Sequence, residues 1–377
     1  MEFLAMTFLR RTAASLAAAA LTLSITPAQA QAGSSFIPGS SFTTGSSDSI
    51  VNVVAEYLGG SSFLPEQTQP VGASQNLPQT FDLQSHRFGR GEWTEESTLG
   101  LAGSQALDVT TLEFDIVIAE DQTPVVWHDD TIEADKCVDT APAYPNDPEF
   151  PYVGSYVNEL DWNQLQTLNC NLPLEGFPDA VHPEVNKLMQ LRDVFELTKD
   201  DDEVYYNIET KRAYDKSDHT ATAQQFVDAI VPVVQKYGVT ERTMIQSFDW
   251  ATLPLVREQA PEIPLVMLYW GDFNYDPSYF GPVDQSAQSY FDAADQLGVE
   301  VLSPDYTIVL MNEAGEVDID QARAYIDEAH ARGFVVVPWT VNNPDHMNAL
   351  IDAGIDGIIT DYPTTLAGIL NERGIEF

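Results

Sequence analysis

Two acidic residues alternate with apolar ones in a short stretch of the chain, residues 111–116. This two-residue period is that of a β-strand, so Glu113 and Asp115 should point to the same face. Carboxylates this close repel each other unless a cation lies between them. Together with Glu209, which ends another apolar run, they make three carboxylates without a histidine. Such ligands favour one hard divalent cation, Ca²⁺ or Mg²⁺, over zinc.

Two histidines flank this stretch. His86 ends an upstream apolar run and is followed by Arg87, while His128 follows a downstream run. Imidazole can donate and accept protons near neutral pH, and a guanidinium binds phosphate oxygens with two hydrogen bonds. Either histidine alone is more often structural. Their convergence with the carboxylates at the ends of short strands indicates a metal-assisted phosphodiester-cleaving site.

The elements that must position these residues alternate regularly from about residue 80 onward. Strands are predicted at 80–86, 110–117, 203–209, 242–247, 264–269, 299–303, 334–339 and 356–360. Helices are predicted at 96–107, 220–237, 250–260, 285–297, 318–332 and 344–353, and Gly238, Gly298, Gly333 and Gly354 lie where four of these helices should end. Eight strands alternating with helices predict an α/β fold, a closed parallel (β/α)₈ TIM barrel.

A barrel of this kind explains how distant residues can meet. All strands open at their carboxyl ends on one face, where active sites lie. An open, doubly wound sheet is the second possibility, but no glycine-rich dinucleotide-binding turn follows the first strand.

The gap between the second and third barrel strands is unusually long. Residues 131–190 carry many prolines and glycines without a clear helical period, which is typical of a functional insertion. It contains both cysteines, Cys137 and Cys170, and we expect a disulfide between them in an exported protein. Two free buried thiols, or a metal site that also uses His182, are the weaker alternatives.

The amino-terminal part of the chain predicts export. Residues 1–30 combine an arginine pair, a short apolar stretch and a small-residue cleavage site, which indicates a signal peptide. Residues 31–75 form a Gly/Ser-rich leader in which Gly-Ser-Ser-Phe occurs three times, with one helix predicted at 50–58. The catalytic barrel is then expected to occupy residues 76–377, in a periplasmic or extracellular protein.

The formal net charge of the 377-residue chain is −41. A surface this acidic repels nucleic acid and anionic bilayers, so neither is expected as a partner, and no stable membrane insertion is expected. An anionic substrate would need a local positive site, which a bound cation and Arg87 would provide. The sequence carries no prediction of the oligomeric state.

From about residue 80 to 370 the chain resembles the glycerophosphodiester phosphodiesterase family. Six blocks match family motifs in order: His86-Arg87-Phe88 with Glu95-Glu96-Ser97-Thr98, Glu113-Phe114-Asp115 with His128-Asp129, Asn207-Ile208-Glu209-Thr210-Lys211, Gln246-Ser247-Phe248-Asp249, Trp339-Thr340-Val341-Asn342, and Asp356 through Pro363. Three positions depart from the motifs. Phe88 replaces a glycine, although Gly89 and Gly91 follow, and Glu95 and Ser97 replace a proline and an asparagine.

The resemblance implies a role for each matching residue. Glu113, Asp115 and Glu209 would bind the cation, and His86 with His128 would form the acid–base pair. Near the phosphate it implies Arg87 and Lys211, with Trp339 on the pocket wall. The remaining histidines are expected to be surface or structural: His182, His219, His330 and His346.

The implied activity is hydrolysis of small glycerophosphodiesters to sn-glycerol 3-phosphate and an alcohol. One alternative is a phospholipase-type phosphodiesterase, resembling a phospholipase C or a sphingomyelinase D. Another is a surface-displayed binding protein that keeps the barrel and uses the leader and the insertion for adhesion. The intact histidines and carboxylates favour the enzyme.

Overall fold

A computed structural model describes residues 73–213, 218–274 and 281–377 of the chain. The predicted signal peptide, nearly all of the predicted leader and the helix predicted at 50–58 lie outside these residues. The last residues assigned to the leader belong to a short 3₁₀ helix, Ala73–Asn76.

Eight parallel strands form a closed barrel, which confirms the predicted fold. In chain order they are β1 (Asp82–Ser85), β2 (Thr111–Ile118), β5 (Tyr205–Thr210), β6 (Thr243–Ser247), β7 (Leu265–Tyr269), β8 (Val301–Pro304), β9 (Val335–Val336) and β10 (Gly357–Thr360). Every one coincides with a predicted strand. The apolar residues that alternate along each strand are buried between the sheet and the helices outside it.

The last strand, β10, closes the barrel by pairing with β1 on one side and with the segment after β9 on the other. β1 pairs with β10 over four residues, starting at Asp82 with Gly357. Past the short β9, Ile359 N donates to Pro338 O at 3.0 Å and Val341 N donates to Ile359 O at 3.0 Å. These bonds join the segment after β9 to β10 and complete the ring.

Most helices of the described residues follow the predicted pattern. They are α1 (Thr98–Ala106), α2 (Trp162–Leu165), α3 (Leu191–Leu197), α4 (Ala223–Tyr237), α5 (Thr252–Gln259), α6 (Tyr290–Leu297), α7 (Tyr306–Leu310), α8 (Ile319–Ala331), α9 (Pro344–Ala353) and α10 (Pro363–Arg373). Sequence reasoning missed α2, α3, α7 and α10, three of which are shorter than eight residues. Gly238, Gly298 and Gly354 end α4, α6 and α9 with positive φ, a conformation that glycine adopts without a Cβ clash. No helix of the described residues is both long and apolar enough to cross a membrane.

The long segment between β2 and β5 has its own structure. Its first strand is β3 (Pro124–Val126), which pairs antiparallel with β2, and its second is β4 (Met189–Gln190), which pairs antiparallel with β3 and leads into α3. Between them, a second hydrophobic cluster surrounds the buried Tyr152 and Leu165. A disulfide joins Cys137 to Cys170 within this cluster, as the sequence led us to expect. The segment therefore has a hydrophobic cluster and a covalent link of its own, and it is joined to the barrel through β2.

Candidate active site

Neighbouring barrel strands bring three carboxylates together near their carboxyl ends. Asp115 on β2 is the direct cross-strand partner of Glu209 on β5, and Glu113 lies two residues earlier on β2. One oxygen from each of the three lies within 4.8 Å of the others, and all three side chains are buried. The alternation of the strand places them on the barrel interior, as the two-residue period predicted.

Amides lining the barrel interior hold Glu113 in place. Gln246 Nε2 donates to Glu113 Oε1 at 2.6 Å, and Arg87 N donates to Glu113 Oε2 at 2.9 Å. Gln246 Oε1 in turn accepts from Asn207 Nδ2 at 2.9 Å. These hydrogen bonds hold the Glu113 carboxylate in one orientation.

Burial makes negative charge costly in this cluster. Burial and the neighbouring Asp115 raise the pKa of Glu113 well above its ordinary value. Burial raises the pKa of Glu209 to about 7, against the effect of the Lys211 ammonium. Burial opposes ionisation of Asp115 as well, yet the positive charges of Lys211, His128 and Arg87 lower its pKa. Three ionised carboxylates here need further positive charge.

A divalent cation would supply this positive charge, and the residues present fit such an ion. Neither oxygen of Asp115 has a hydrogen-bond partner among the described residues, although the Nε of Arg87 lies 3.1 Å from Oδ2. An Asp and two Glu side chains supply the oxygen ligands that Ca²⁺ and Mg²⁺ prefer. Glu113, Asp115 and Glu209 are therefore the residues that could hold the ion.

His86 follows β1 in a tight turn beside this cluster. Its Nδ1 lies 2.5 Å from Asp361 Oδ1, and its Nε2 lies 4.0 Å from Glu113 Oε2. Asp361 is itself held, because Arg90 Nε donates to Oδ1 at 2.8 Å and Asn342 Nδ2 donates to Oδ2 at 2.7 Å. Burial lowers the pKa of His86, and the Asp361 carboxylate opposes this shift.

The turn after His86 adopts left-handed backbone angles at three consecutive residues. Arg87, Phe88 and Gly89 have φ values of 48°, 62° and 80°. Phe88 accepts this conformation although it replaces the glycine of the family motif, and its buried ring packs 5.2 Å from Phe114. At Gly89 a Cβ would lie 2.9 Å from the ring of Trp93. Gly89, and not position 88, is therefore where the turn has no room for a side chain.

His128 approaches the cluster from the end of the β2–β3 hairpin. Its Nδ1 lies 2.8 Å from Asp129 Oδ1. Burial and the charges of Lys211 and Arg87 lower the pKa of His128 well below its ordinary value. A neutral imidazole is the form that can accept a proton.

The predicted phosphate-binding residues surround the carboxylates. Lys211 Nζ lies 2.8 Å from Glu209 Oε1 and 3.9 Å from Asp115 Oδ1. Trp339 donates from Nε1 to Ser303 O at 2.9 Å, and its ring meets that of Phe248 edge to face at 5.2 Å.

One cavity of about 420 Å³ joins these residues. It is lined by all the predicted site residues except Asp115, namely His86, Arg87, Glu113, His128, Glu209, Lys211 and Trp339. Asp115 lies beneath the floor, in contact with Arg87. Phe248 and Trp270 add an aromatic wall, and Arg90 and Arg212 add positive charge at the rim. The cavity can thus receive a small anion that has an apolar portion.

Sequence reasoning assigned no role to several residues that support the site. Asp361 orients His86, Glu96 Oε1 accepts from the backbone N of Asp115 at 2.8 Å, and Glu95 and Lys136 form ion pairs beside Arg87. Asp361 and Glu96 lie inside the matched motif blocks, which was the available signal. Lys136 lies in the predicted insertion, where no motif points to it.

The other histidines do not line the cavity. His182 hydrogen-bonds to Thr94, His219 stacks on Tyr156 with ring centroids 3.9 Å apart, and His330 bonds to Asp356. His346 packs near Tyr306.

Comparison with known proteins gives a consistent result. Residues 86–365 match the glycerophosphoryl diester phosphodiesterase family. A glycerophosphodiester phosphodiesterase from Caldanaerobacter subterraneus is 22% identical over 77% of this chain and 98% of its own length. The human glycerophosphocholine phosphodiesterase is 26% identical over 71% of this chain, and the matched part spans 40% of the human protein.

Solved structures share the architecture. A Silicibacter pomeroyi structure named for the same family has a TM-score of 0.67 and 26% identity, covering 81% of this chain and 100% of its own. A phosphodiesterase from Oleispira antarctica, solved with the product sn-glycerol-3-phosphate, has a TM-score of 0.56 and 16% identity over 79% of this chain and 99% of its own.

Proposed function

Because the chain belongs to the glycerophosphoryl diester phosphodiesterase family, as its motifs predicted, we propose that it hydrolyses glycerophosphodiesters to sn-glycerol 3-phosphate and an alcohol. The observation that carries this proposal is the buried group Glu113, Asp115 and Glu209 beside a cavity lined by His86 and His128. Two related proteins support the substrate class: the human relative is a glycerophosphocholine phosphodiesterase, and the Oleispira antarctica phosphodiesterase was solved with the product sn-glycerol-3-phosphate.

A divalent cation, Ca²⁺ or Mg²⁺, is part of the proposal. Glu113, Asp115 and Glu209 would hold it. When bound, such an ion neutralises charge on the phosphodiester and on the state that follows attack. Arg87 and Lys211 contribute fixed positive charge at the same place, since both lie within 4 Å of Asp115.

His86 and His128 supply proton transfer in this proposal. One imidazole takes the proton from the attacking hydroxyl, and the other gives a proton to the departing alkoxide oxygen. Each ring has Nδ1 bound to a carboxylate, of Asp361 or Asp129, which leaves Nε2 for the cavity. A carboxylate on Nδ1 fixes the tautomer and stabilises the protonated ring.

We propose the glycerol 2-hydroxyl as the first nucleophile, because no serine or cysteine nucleophile motif occurs in the sequence. Its oxygen bonds to phosphorus while the bond to the alcohol breaks, giving a cyclic phosphate that water then opens. A substrate that lacks the 2-hydroxyl should therefore be hydrolysed far more slowly. Equal turnover of this analogue would exclude the cyclic route.

The decisive experiment measures kcat and KM for glycerophosphocholine with three histidine variants. His86→Ala and His128→Ala should each lower kcat by roughly 100-fold or more, because each removes a general acid or base. His330→Ala is the matched control, since His330 lies outside the cavity, and it should keep wild-type activity. Wild-type kcat in either site variant would contradict the proposed acid–base pair.

Two alternatives are tested by the choice of substrate. A phospholipase-type enzyme would prefer micellar phospholipid to glycerophosphocholine, and a surface-displayed binding protein would hydrolyse neither. The acidic chain argues against anionic membranes and nucleic acid as partners.

Export to the periplasm or beyond the cell is also proposed, and the Cys137–Cys170 disulfide supports it because such bonds persist in oxidising compartments.

A further inference from the structure

Lys136 reaches the active site from the segment between β3 and β4. Its ammonium nitrogen lies 2.5 Å from Asp129 Oδ2 and 2.5 Å from Glu95 Oε1, and its side chain is 14% exposed. It also lies 5.2 Å from the centroid of the Trp127 ring. The lysine is therefore largely enclosed and paired with two carboxylates.

The first partner connects Lys136 to His128. Asp129 contacts Lys136 through Oδ2, and its Oδ1 lies 2.8 Å from His128 Nδ1. One carboxylate thus bridges the ammonium and the imidazole. Because a single aspartate side chain turns as a unit, fixing one oxygen fixes the other and with it the orientation of the ring.

The second partner connects Lys136 to the floor of the site. Glu95 Oε2 lies 3.1 Å from the NH1 group of Arg87, whose Nε lies 3.1 Å from Asp115. Glu95 stands where the family motif has a proline, so this chain has a buried acid at that position. Burial opposes ionisation of Glu95, but Arg87 and Lys136 lower its pKa.

The backbone of Lys136 is anchored as well. Cys137 follows it directly and forms the disulfide with Cys170, and the backbone N–H groups of Lys136 and Cys137 both donate to Glu133 O. The lysine therefore extends from a covalently fixed point.

We propose that Lys136 is a positioning residue for the reaction and orients His128 through Asp129. The proposal rests on the acid–base role proposed above for His128. Lys136 does not touch the substrate. Its effect should fall on kcat, since an imidazole that is poorly oriented transfers protons slowly while the substrate still binds.

The test is a double-mutant cycle with glycerophosphocholine as substrate. Lys136→Met should lower kcat by roughly 10- to 100-fold, the range typical of partners that orient active-site groups, with KM within about threefold of wild type. Lys136→Arg, which keeps the charge, should recover most of the loss. The Lys136→Met/Asp129→Asn double variant should be no slower than Asp129→Asn alone, because the lysine acts through that aspartate.

A matched control separates positioning from general support of the segment. Lys187 belongs to the same segment and donates to Thr167 O and Leu168 O, away from the cavity. Lys187→Met should keep wild-type kcat. If Lys136→Met fails to fold because Glu95 is left without its partner, the same comparison is made in a Glu95→Gln background, where that charge is absent.

Several results would overturn the proposal. These are a kcat for Lys136→Met within twofold of wild type, losses in the double variant that multiply, or an equal loss in Lys187→Met. If wild type is active, His128→Ala is inactive and Lys136→Met is fully active, only the positioning role fails. If His128→Ala keeps wild-type activity, the proposed acid–base pair fails, and the role of Lys136 fails with it.

Discussion

At the scale of single residues, the site combines buried carboxylates, whose ionisation costs free energy, with basic side chains whose positive charge offsets that cost. Asp115 shows this most clearly, because both of its oxygens are buried without a hydrogen-bond partner among the described residues while Arg87 and Lys211 lie nearby. Burying such a carboxylate costs more free energy than burying an apolar side chain, which is consistent with the binding role proposed for Asp115.

Replacing Asp115 tests the cation. Asp115→Asn should lower kcat/KM by roughly 100-fold or more, because it removes one ligand charge. Calorimetric titration of the variant with CaCl₂ and MgCl₂ should show weaker binding than wild type. Asp320→Asn, on the exposed face of α8, is the control and should leave both measurements unchanged. Full activity of the wild type after exhaustive chelation would refute the cation.

Asp82 gives a prediction for the pH dependence of stability. It is buried at the start of β1, where Thr111 Oγ1 and Gln84 Nε2 donate to it at 2.6 and 2.7 Å. Burial raises its pKa from 3.8 to about 6. Between these values the folded state binds more protons than the unfolded state, so the stabilisation present below pH 3.8 is lost as the pH rises through 6.

The effect is measured by urea unfolding of wild type and Asp82→Asn at pH 4, 5, 6 and 7. Two pKa units correspond to roughly 3 kcal/mol, so the unfolding free energy of wild type should fall by up to that amount relative to the variant. Asp327→Asn, an exposed site on α8, should follow the wild-type profile. Parallel profiles for wild type and Asp82→Asn would contradict the raised pKa.

At the scale of elements, the regularly alternating strands and helices could be predicted from the sequence, whereas the irregular segments could not. All eight barrel strands follow from runs of apolar residues bounded by turn residues, because a strand in a parallel barrel is buried on both faces. The helices α3 and α7 were missed because they are too short to show a helical period. The path of residues 131–190 depends on a disulfide and on its own small core, neither of which leaves a periodic signal.

The same reasoning applies to the site. Glu113, Asp115 and Glu209 were predictable because strand alternation sets the face on which a side chain lies. Lys136 was not, since its contact with Asp129 and Glu95 depends on how an irregular segment folds back over the barrel. Asp361 was within a motif, but its bond to His86 appears only when β1 and β10 are paired.

The disulfide is the element whose removal should have the largest effect on the segment. Cys137→Ala/Cys170→Ala removes a link between residues 33 positions apart. Loop-entropy arguments give a loss of about 3–4 kcal/mol in unfolding free energy. Chemical denaturation of the oxidised wild type and the double variant measures it. A control with Met347→Ala on α9 should destabilise the barrel core instead and leave the disulfide intact. A variant as stable as wild type would show that the cluster around Tyr152 holds the segment without the bond.

At the scale of the whole molecule, acidic side chains outnumber basic ones by 58 to 17. Most surface carboxylates therefore have no basic partner, and their repulsion opposes the compact state. Four of the basic residues, Arg87, Arg90, Lys211 and Arg212, line the cavity.

Salt should therefore stabilise this protein. Raising NaCl from 10 mM to 500 mM shortens the range of the repulsion to a few ångströms and should raise Tm by several degrees. Calorimetric scans at a series of concentrations measure the change, and KCl should give the same result because screening does not depend on the ion. A Tm that is constant or falls with salt would show that repulsion contributes little to stability.

Neighbouring strands of the barrel differ in how many residues they pair, and this affects where the barrel opens locally. β2 and β5 pair over six residues, whereas β9 contains two, and the join to β10 is completed by two backbone hydrogen bonds at Pro338 and Val341. Amide hydrogens of Val341 and Ile359 should accordingly exchange with deuterium sooner than those of Phe114 and Ile208. Asn342 and Asp361 face each other across this same seam. When the β9–β10 junction opens, Asp361 would lose its hydrogen bond from Asn342 and hold His86 less firmly. The orientation of His86 and the local opening of the barrel therefore depend on the same few hydrogen bonds.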